Sequence, residues 1–550
     1  MEIESHIFDV VIAGYGPAGA MAANLLGCKG YRVAIVDRML EIYDKPRAIT
    51  ADHEVMRALQ ECGLTDKVEP TTVPHPGTDF VGLDGQIIKR FYPQPAPFPL
   101  AWEPTWMFFQ PELEAILREG VARFEQARTF LGYEVVDFED AHDVARVAIK
   151  NVSDGALHSL KARYVLACDG GRSFFRRRLG VKIDDLAFDE WWIVLDALKK
   201  RDVELPPRMR QYCRPSRPGT YIVGPGDLRR WEMKILPHET PEMFEDETEV
   251  LKAWSSFVDV SAFELIRTAI YRFHALVLEE WHRGRVFLLG DAAHQMPPFL
   301  GQGLCAAVRD AYNLVWKIDA VERLGADPSI LATYGQERKA HVKTVVEHAK
   351  EFGLIIGELD EQAARQRDAR HAALIASGQA ETVRQKFIPG LSSGMISVDA
   401  VGKPRPGAGD LFPQPWVRGD DGNWRRLDDI LGTGFLIASD DRDILDGIDA
   451  ETMSLWNELR GKQLVISGDV GRVTSSDPVR VAVEERDGVF RDWLSRTAAK
   501  AAVVRPDHYV FGTAVTSAEL AALIADLHGR MFARPGQDAP HGPRVTVLAD

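Results

Sequence analysis

Phe8-Asp-Val-Val-Ile-Ala13-Gly14-Tyr-Gly16-Pro17-Ala18-Gly19 is the stretch whose reading decides the fold. It opens as a short, β-branched apolar run, the pattern of a buried strand. Ala20-Met-Ala-Ala-Asn-Leu-Leu26 follows as a helix, and Tyr31-Arg-Val-Ala-Ile-Val36 as a second strand ending at Asp37. Parallel strands need a crossover of this kind. Gly14, Gly16 and Gly19 stand between strand and helix with GxGxxG spacing. The first glycine allows the tight turn, the second lets backbone approach a pyrophosphate, and the third lets helix and strand pack closely. The helix N-terminus favours an anion through its free amides and dipole. Asp37, about 20 residues on, is placed to accept hydrogen bonds from a ribose. An ordinary glycine-rich turn is the competing reading, and the motif alone does not say which dinucleotide it holds.

Two later segments repeat the arrangement of an apolar strand that ends in a polar turn. Tyr164-Val-Leu-Ala-Cys168-Asp169-Gly170-Gly171 is one, and alone it reads as a plain Asp-Gly turn. Arg285-Val-Phe-Leu-Leu-Gly290-Asp291 is the other, with Asp291 placed for a ribityl chain or a second ribose. From Pro297 to Gly303 the backbone amides come close to something flat, and a long helix starts at about Gly303. Its N-terminus would stabilise negative charge developing on a reduced isoalloxazine. In this order the three segments describe one binding site for FAD. The basic residues Arg172 and Arg176-Arg-Arg178 read as an exposed helix face, with a phosphate site as the alternative.

Outward from these segments the chain changes character. Pro111 to Phe124 is an amphipathic helix with Leu113, Ile116, Leu117 and Val121 on one stripe. Between about Phe188 and Arg272, short strands (Met209 to Arg214, Gly219 to Val223, Arg230 to Leu236) alternate with Pro/Gly turns, which predicts an antiparallel meander in a separate domain. Proline and glycine collect from Phe387 to Gly422, and a small α/β domain follows Trp424. With 550 residues, two to four domains are expected. A net charge of -15 argues against nucleic acid as a partner. No run approaches a membrane span, and the opening residues, with acidic Glu2 and Glu4, lack the features of a signal peptide. The five cysteines form no CxxC and no metal-like cluster, so no metal is expected and a reducing cytoplasm fits.

The chain resembles the FAD-dependent aromatic hydroxylases, the single-component flavoprotein monooxygenases, and among them the 3-(3-hydroxyphenyl)propionate, phenol and resorcinol hydroxylases. The resemblance rests on Gly14 to Gly19, Lys45-Pro-Arg-Ala-Ile49, Phe109-Gln-Pro-Glu-Leu113, Cys168-Asp-Gly-Gly171, Gly290-Asp-Ala-Ala-His294 with Gly301-Gln-Gly303, and Val504-Arg-Pro-Asp507. It implies an α/β fold with three parts. A Rossmann-like, three-layer ββα FAD-binding domain would comprise 1–75, 100–187 and 273–390, and an antiparallel-sheet substrate domain 76–99 and 188–272. A linker over 391–422 would lead to a thioredoxin-like domain over 423–550. That last part contains no cysteine, so it cannot perform disulfide exchange. The resemblance assigns FAD to Gly14, Gly16, Pro17, Ala18, Gly19, Asp37, Arg38, Arg47, Gln110, Asp169 and Asp291, with Pro298, Gly301, Gln302 and Gly303 beside the ring. Asp37 stands where the family more often has glutamate. Asp52 and Tyr271 fall in surroundings comparable to the catalytic aspartate and tyrosine of phenol hydroxylases. Read from the residues alone, Asp52 serves equally as the N-cap ahead of Val55 to Leu59, and Tyr271 as a core tyrosine. His274 and His294 read as structural.

The implied activity is hydroxylation of a phenol ortho or para to its hydroxyl, through a C4a-hydroperoxyflavin, with NADH or NADPH as transient reductant and O2 as co-substrate. A phenolic acid of aromatic catabolism is one expected substrate, and a homodimer the expected assembly. The alternative within the enzymes is a tailoring monooxygenase acting on a larger polycyclic or antibiotic substrate. A flavin-binding protein without turnover is the alternative of another class.

Overall fold

The structure is a computed structural model that describes residues 7–43, 47–141, 143–419, 421–467 and 480–532. Glu2 and Glu4, and Lys45 and Pro46 of the Lys45 to Ile49 stretch, lie outside the described residues. The chain divides into two compact units, one of Met1–Ala96, Trp102–Ala311 and Val342–Pro389, the other of Pro97–Ala101, Tyr312–His341 and Gly390–Asp550.

The first unit is built on two large sheets. One runs in the order His282–Arg283, Val286–Leu288, Leu157–Ala167, Ile7–Ala13, Val33–Asp37, Ala127–Leu131. From Val286–Leu288 to Ala127–Leu131 its neighbours pair in parallel. Val10, Val11 and Ile12 are fully buried, as an apolar run in a parallel sheet covered on both faces must be. A hairpin of Tyr133–Asp140 and Ala145–Asn151 adds to Leu157–Ala167 from the side. The helix Pro17–Cys28 makes the first crossover, and Gln110–Ala122 packs against it.

The second sheet of this unit is antiparallel over most of its width. Its order is His294–Gln295, Phe263–Leu278, Ile183–Lys199, Leu228–Lys234, Gly219–Val223, Met209–Tyr212, Thr78–Val81, Ile87–Phe91. The expected meander is therefore present, and it is framed by two long paired strands, Ile183–Lys199 and Phe263–Leu278. Side chains alternate between its faces, as the pleat requires. Ile193, Leu195, Tyr221, Trp231 and Met233 form one apolar core with Trp254 and Phe263. The intervening positions, among them Val194, Asp196, Ile222, Arg230 and Glu232, point to the other face.

In the second unit a seven-stranded sheet runs Trp424–Arg426, Trp416–Arg418, Arg480–Glu485, Lys462–Ser467, Leu436–Ser439, Ala501–Val504, Val510–Ala514. Its alternating residues feed two cores. Ile437, Val465, Val503 and Phe511 pack with Trp456, Leu520 and Ile524. Leu436, Leu464, Val504 and Val510 pack with Phe412, Phe490 and Trp493. Within the segment 391–422, Leu391, Ile396 and Ala408 are buried together with Tyr509.

A cluster of charges lies sealed in this unit. Glu337 Oε2 accepts from Arg505 Nη2 (2.8 Å), Lys317 Nζ (2.9 Å) and Asn313 Nδ2 (2.6 Å), and its Oε1 accepts from Met395 N (2.8 Å). Arg505 also holds both oxygens of Asp507. Arg505 and Asp507 belong to the Val504 to Asp507 stretch, which the sequence singles out without giving it a function. No helix among the described residues is long and apolar enough to cross a membrane.

Candidate active site

The parallel strands of the first unit end in step. Ala13 stands in register with Val36 on one side and Ala167 on the other, and Ala167 with Leu288. Backbone hydrogen bonds carry the pairing one residue further, from Cys168 N to Ala13 O (2.8 Å) and from Leu289 N to Ala167 O (3.0 Å). The turns that begin at Gly14, Cys168 and Gly290 thus leave the same sheet edge as neighbours, although they are far apart in the chain. In open α/β sheets this edge is where ligands bind.

Each glycine of the first turn has its own constraint. Gly14 has φ +101°, and a Cβ on it would lie 2.2 Å from the carbonyl oxygen of Cys168. A Cβ on Gly19 would lie 2.0 Å from the Gly14 oxygen. Gly16 is different: a Cβ there meets nothing within 4 Å. Gly14 and Gly19 are small so that the protein can close on itself, and Gly16 borders open space. It is also the N-cap of Pro17–Cys28, a cap without a side-chain hydrogen bond, so the first amides of that helix remain available.

Gly16 opens onto a cavity of ≈ 360 Å³. The strand-end turns contribute Gly16, Pro17, Ala18, Cys168, Gly170 and Asp291 to its lining. Pro298, Gly301, Gly303, Leu304 and Ala307 come from the start of the helix Gly303–Asp319 and the turn before it. Arg384, buried, donates to Leu300 O and ties that turn down. Arg47, Ala48, Ile49, Thr50 and Gln110 form another side. Gln110 Oε1 accepts from both Arg47 N (2.8 Å) and Ala48 N (2.6 Å). The antiparallel sheet supplies Val194, Ile222, Arg230, Glu232, Tyr271 and Phe273. Tyr271 and Phe273 stack with an interplanar angle of 12°, and Phe273 meets Phe299 edge-on.

The polar groups of the sheet wall are ordered by two arginines that share one aspartate. Asp196 receives Arg230 Nε (2.7 Å) and Nη2 (3.2 Å) together with Arg267 Nε (2.6 Å). Arg230 also donates to Arg47 O (2.9 Å), and Arg267 Nη1 to the Tyr271 hydroxyl (3.2 Å). Glu232 is 5% exposed. Burial pushes its carboxyl up to about 7, Arg230 and Arg267 pulling down and Asp196 pushing up. The turn wall carries the thiol of Cys168, which burial, with Asp169 and Asp310 nearby, drives far above its ordinary value.

Of the residues singled out in the sequence, the cavity brings together Gly16, Pro17, Ala18, Arg47, Gln110, Asp291, Pro298, Gly301, Gly303 and Tyr271. Gly14 and Gly19 shape the turn from behind. Asp37 accepts from Tyr15 N (2.7 Å) and Met39 N (2.8 Å), which fixes the second strand end against the glycine turn, and Arg38 is exposed. Asp169 Oδ2 accepts from Phe174 N (2.7 Å) at the start of the Phe174–Leu179 helix, while its Oδ1 is buried without a hydrogen-bond partner among the described residues. Gln302 is fully buried and accepts from Arg309 Nη1 (2.9 Å).

Asp52 is also fully buried and does not line the cavity. It caps the helix His53–Glu61 through Glu54 N (3.2 Å) and pairs with Arg309 Nη2 (2.5 Å). Its contacts therefore describe the capping alternative, with the carboxylate committed to Arg309. Burial pushes its pKa up, but the Arg309 and His53 charges, together with hydrogen bonds from Arg309 and Gln302, outweigh burial and hold it below the ordinary range. His294 is buried against Asp310 (2.8 Å), a structural contact. Asp196, Arg230, Glu232 and Arg267 were not singled out in the sequence. Their signal was available: Arg230, Glu232 and Lys234 alternate with Trp231 and Met233 in one strand, which places three charges on one face.

Comparison with known proteins agrees with this geometry. The FAD binding domain family matches residues 8–349, and the HcaD C-terminal domain family residues 409–530. A probable NADH-specific resorcinol 4-hydroxylase of Rhodococcus jostii (strain RHA1) is 35% identical over 524 residues, covering 94% of this chain and 94% of the relative. A 3-(3-hydroxy-phenyl)propionate/3-hydroxycinnamic acid hydroxylase of Burkholderia vietnamiensis (strain G4 / LMG 22486) is 33% identical, covering 91% and 93%. Among solved structures, the flavin-dependent monooxygenase PieE in complex with FAD and substrate has a TM-score of 0.78 at 21% identity, covering 96% of this chain and 100% of that one. Aklavinone-11 hydroxylase with FAD and aklavinone has a TM-score of 0.73 at 22% identity, over the same shares. At such identities these structures speak for the fold. The family match over more than half the chain, with relatives above 30% identity along nearly all of it, means that this chain belongs to the FAD-dependent hydroxylases.

Proposed function

We propose that the protein is a FAD-dependent monooxygenase that uses NADH and O2 to hydroxylate a single-ring phenol ortho or para to its hydroxyl. The observation that carries this reading is the make-up of the cavity. One side is a glycine turn and two helix N-termini. The other is an apolar, aromatic sheet face with a few polar groups. NADH comes from the name of the Rhodococcus relative alone, and the phenolic substrate class from both relatives, whose names specify resorcinol and 3-hydroxyphenylpropionate. The polycyclic alternative rests on structures near 20% identity and carries less weight.

The residues present fit FAD. The space open at Gly16, where a side chain would intrude, suits a pyrophosphate at the N-terminus of Pro17–Cys28. We assign Asp37 to the ribose side, Arg47, Gln110 and Asp291 to the body of the cofactor, and Pro298 and Gly301 to Gly303 to the ring. What bound FAD supplies is redox chemistry: electrons taken from the nicotinamide and activation of O2 for transfer to carbon. The protein does the rest. Phe273, Val194 and Ile222 exclude water and hold the phenol by its faces. The hydroxyl of Tyr271, fixed by Arg267, orients the ring. Asp52 acts as a positioning residue through Arg309.

Purified protein should be yellow, and resorcinol or a related phenol should accelerate NADH oxidation with one hydroxylated product per NADH consumed. NADH oxidation that never yields a hydroxylated ring, across neutral phenols, resorcinols and phenolic acids, would show the reading to be wrong.

A further inference from the structure

Among the described residues, Glu232 is a buried carboxylate of the cavity wall that the fold leaves without a partner. Glu232 sits in the strand Leu228–Lys234, in register with Val194 on one neighbouring strand and Thr220 on the other. Its neighbours along the same face are Arg230 and Lys234. Arg230 is committed to Asp196 and Arg47 O, and Lys234 to Glu190 (2.7 Å) and Gly357 O (2.8 Å). Thr220 donates its hydroxyl to Gln211 (2.6 Å). Across the sheet, Arg267 is held by Asp196 and Tyr271. From the facing walls the charged groups are Arg47 and Asp291. Among the described residues nothing hydrogen-bonds or forms a salt bridge with the Glu232 carboxylate, and its pKa reflects burial with the charges of Arg230, Asp196 and Arg267 acting through space. A buried acceptor left unmade is costly, and it persists where a ligand completes it.

We propose that Glu232 accepts the proton of the substrate's ring hydroxyl. The inference rests on the phenol-hydroxylase reading and adds to it the group that turns phenol into phenolate. The substrate O–H bond breaks, and a carboxyl O–H bond forms on Glu232. The electron pair left on the phenolic oxygen raises electron density at the ortho and para carbons, where oxygen is delivered. When product leaves, the carboxyl returns its proton to solvent. A carboxyl that burial has raised to about 7 is matched to this task, because it is ionised enough to accept and basic enough to hold the proton. Tyr271, with Arg267 donating to its oxygen, keeps its own proton free to hydrogen-bond the phenolate.

The test compares wild type, Glu232→Gln and Glu232→Asp. The measurements are kcat/KM for resorcinol hydroxylation between pH 6 and 9.5, with product quantified, and flavin content and thermal unfolding as checks on folding. The expected result is a roughly 100-fold or greater loss for Glu232→Gln at pH 7. That loss should shrink about tenfold per pH unit as solution phenolate replaces the missing base, and Glu232→Asp should restore at least about tenfold. A Glu232→Gln enzyme within about threefold of wild type at pH 7, or one depressed by the same factor at every pH, overturns the proposal. If wild type yields no hydroxylated phenol at any pH, the functional reading itself falls, and the proposal with it.

Discussion

Two buried charge clusters, one in each unit, are built from the same residue types to opposite effect. In the second unit Glu337 receives three side-chain donors and a backbone amide. Burial pushes its pKa up, yet Arg505 and Lys317 overrule burial and hold it at about 2. Burial brings Lys317 down to about 8 against the pull of Glu337. In the first unit Asp196 absorbs two guanidinium groups, and Glu232, the next position after Arg230 on the same face, is left with none among the described residues. The sealed cluster spends every charge on the fold. The cavity cluster keeps one acid in reserve. A buried ionic network therefore marks function only where its ledger of partners is incomplete, and a complete one argues for structure.

The largest expected break in this contrast is Arg505→Met. It strands Asp507 and weakens the hold on Glu337, and should cost about 3–5 kcal/mol of stability in chemical denaturation. Flavin reduction in the surviving folded fraction should be unchanged; a loss below about 1 kcal/mol would mean that the cluster is not a stabilising one. Gly16→Val acts in the opposite sense. A Cβ there meets nothing within 4 Å, so the fold should hold while FAD affinity falls about 100-fold in flavin titration, or about 2.7 kcal/mol. Unchanged flavin content would remove Gly16 from the cofactor site.

Glu232→Gln sharpens the contrast through pH. The folded pKa, about 7, lies above the unfolded value near 4.5, so the native state is penalised by the charge. Stability from the neutral acid is fully present below about pH 4.5 and is lost as pH rises through 7. The variant should therefore be about 1–3 kcal/mol more stable than wild type at pH 8, with no difference at pH 4. Glu337 runs the other way, since its depressed pKa gives stability above pH 4.5 that is lost as pH falls toward 2. Tyr271→Phe has the smallest expected effect, a loss of less than about tenfold in kcat/KM, because one hydrogen bond contributes on the order of 1 kcal/mol. A loss of about 1,000-fold would promote Tyr271 above Glu232.

Much of the fold and of the cofactor side of the site is legible in the residues. Gly14 and Gly19 are required by backbone contacts, and the apolar runs before them by burial on both faces, while Gly16 borders open space. Such constraints are local and leave a readable pattern. Asp52 shows the limit, because an aspartate ahead of a helix reads the same whether it caps or abstracts a proton. Its pairing with Arg309, distant in sequence, is a contact that the sequence does not display. The length of the strand Ile183–Lys199 is hidden in the sequence by Asp184, Asp185, Asp189 and Glu190 in its more exposed first half. Glu232 does not stand out in the sequence, because the strand from Arg230 to Leu236 reads as ordinary strand patterning. Which of its faces looks into a cavity depends on pairing partners far away in the chain.

The thiol of Cys168 beside the cavity has a bearing on how long such an enzyme would last. Turnover that misses its aromatic target discharges hydrogen peroxide at the spot where it is made. Thiols are attacked by peroxide as thiolates, and burial keeps Cys168, like Cys305 beyond the helix start, in the protonated form. The site would tolerate its own errors, and inactivation during uncoupled turnover should begin elsewhere, with Cys28, the exposed cysteine of the five, an early point of damage.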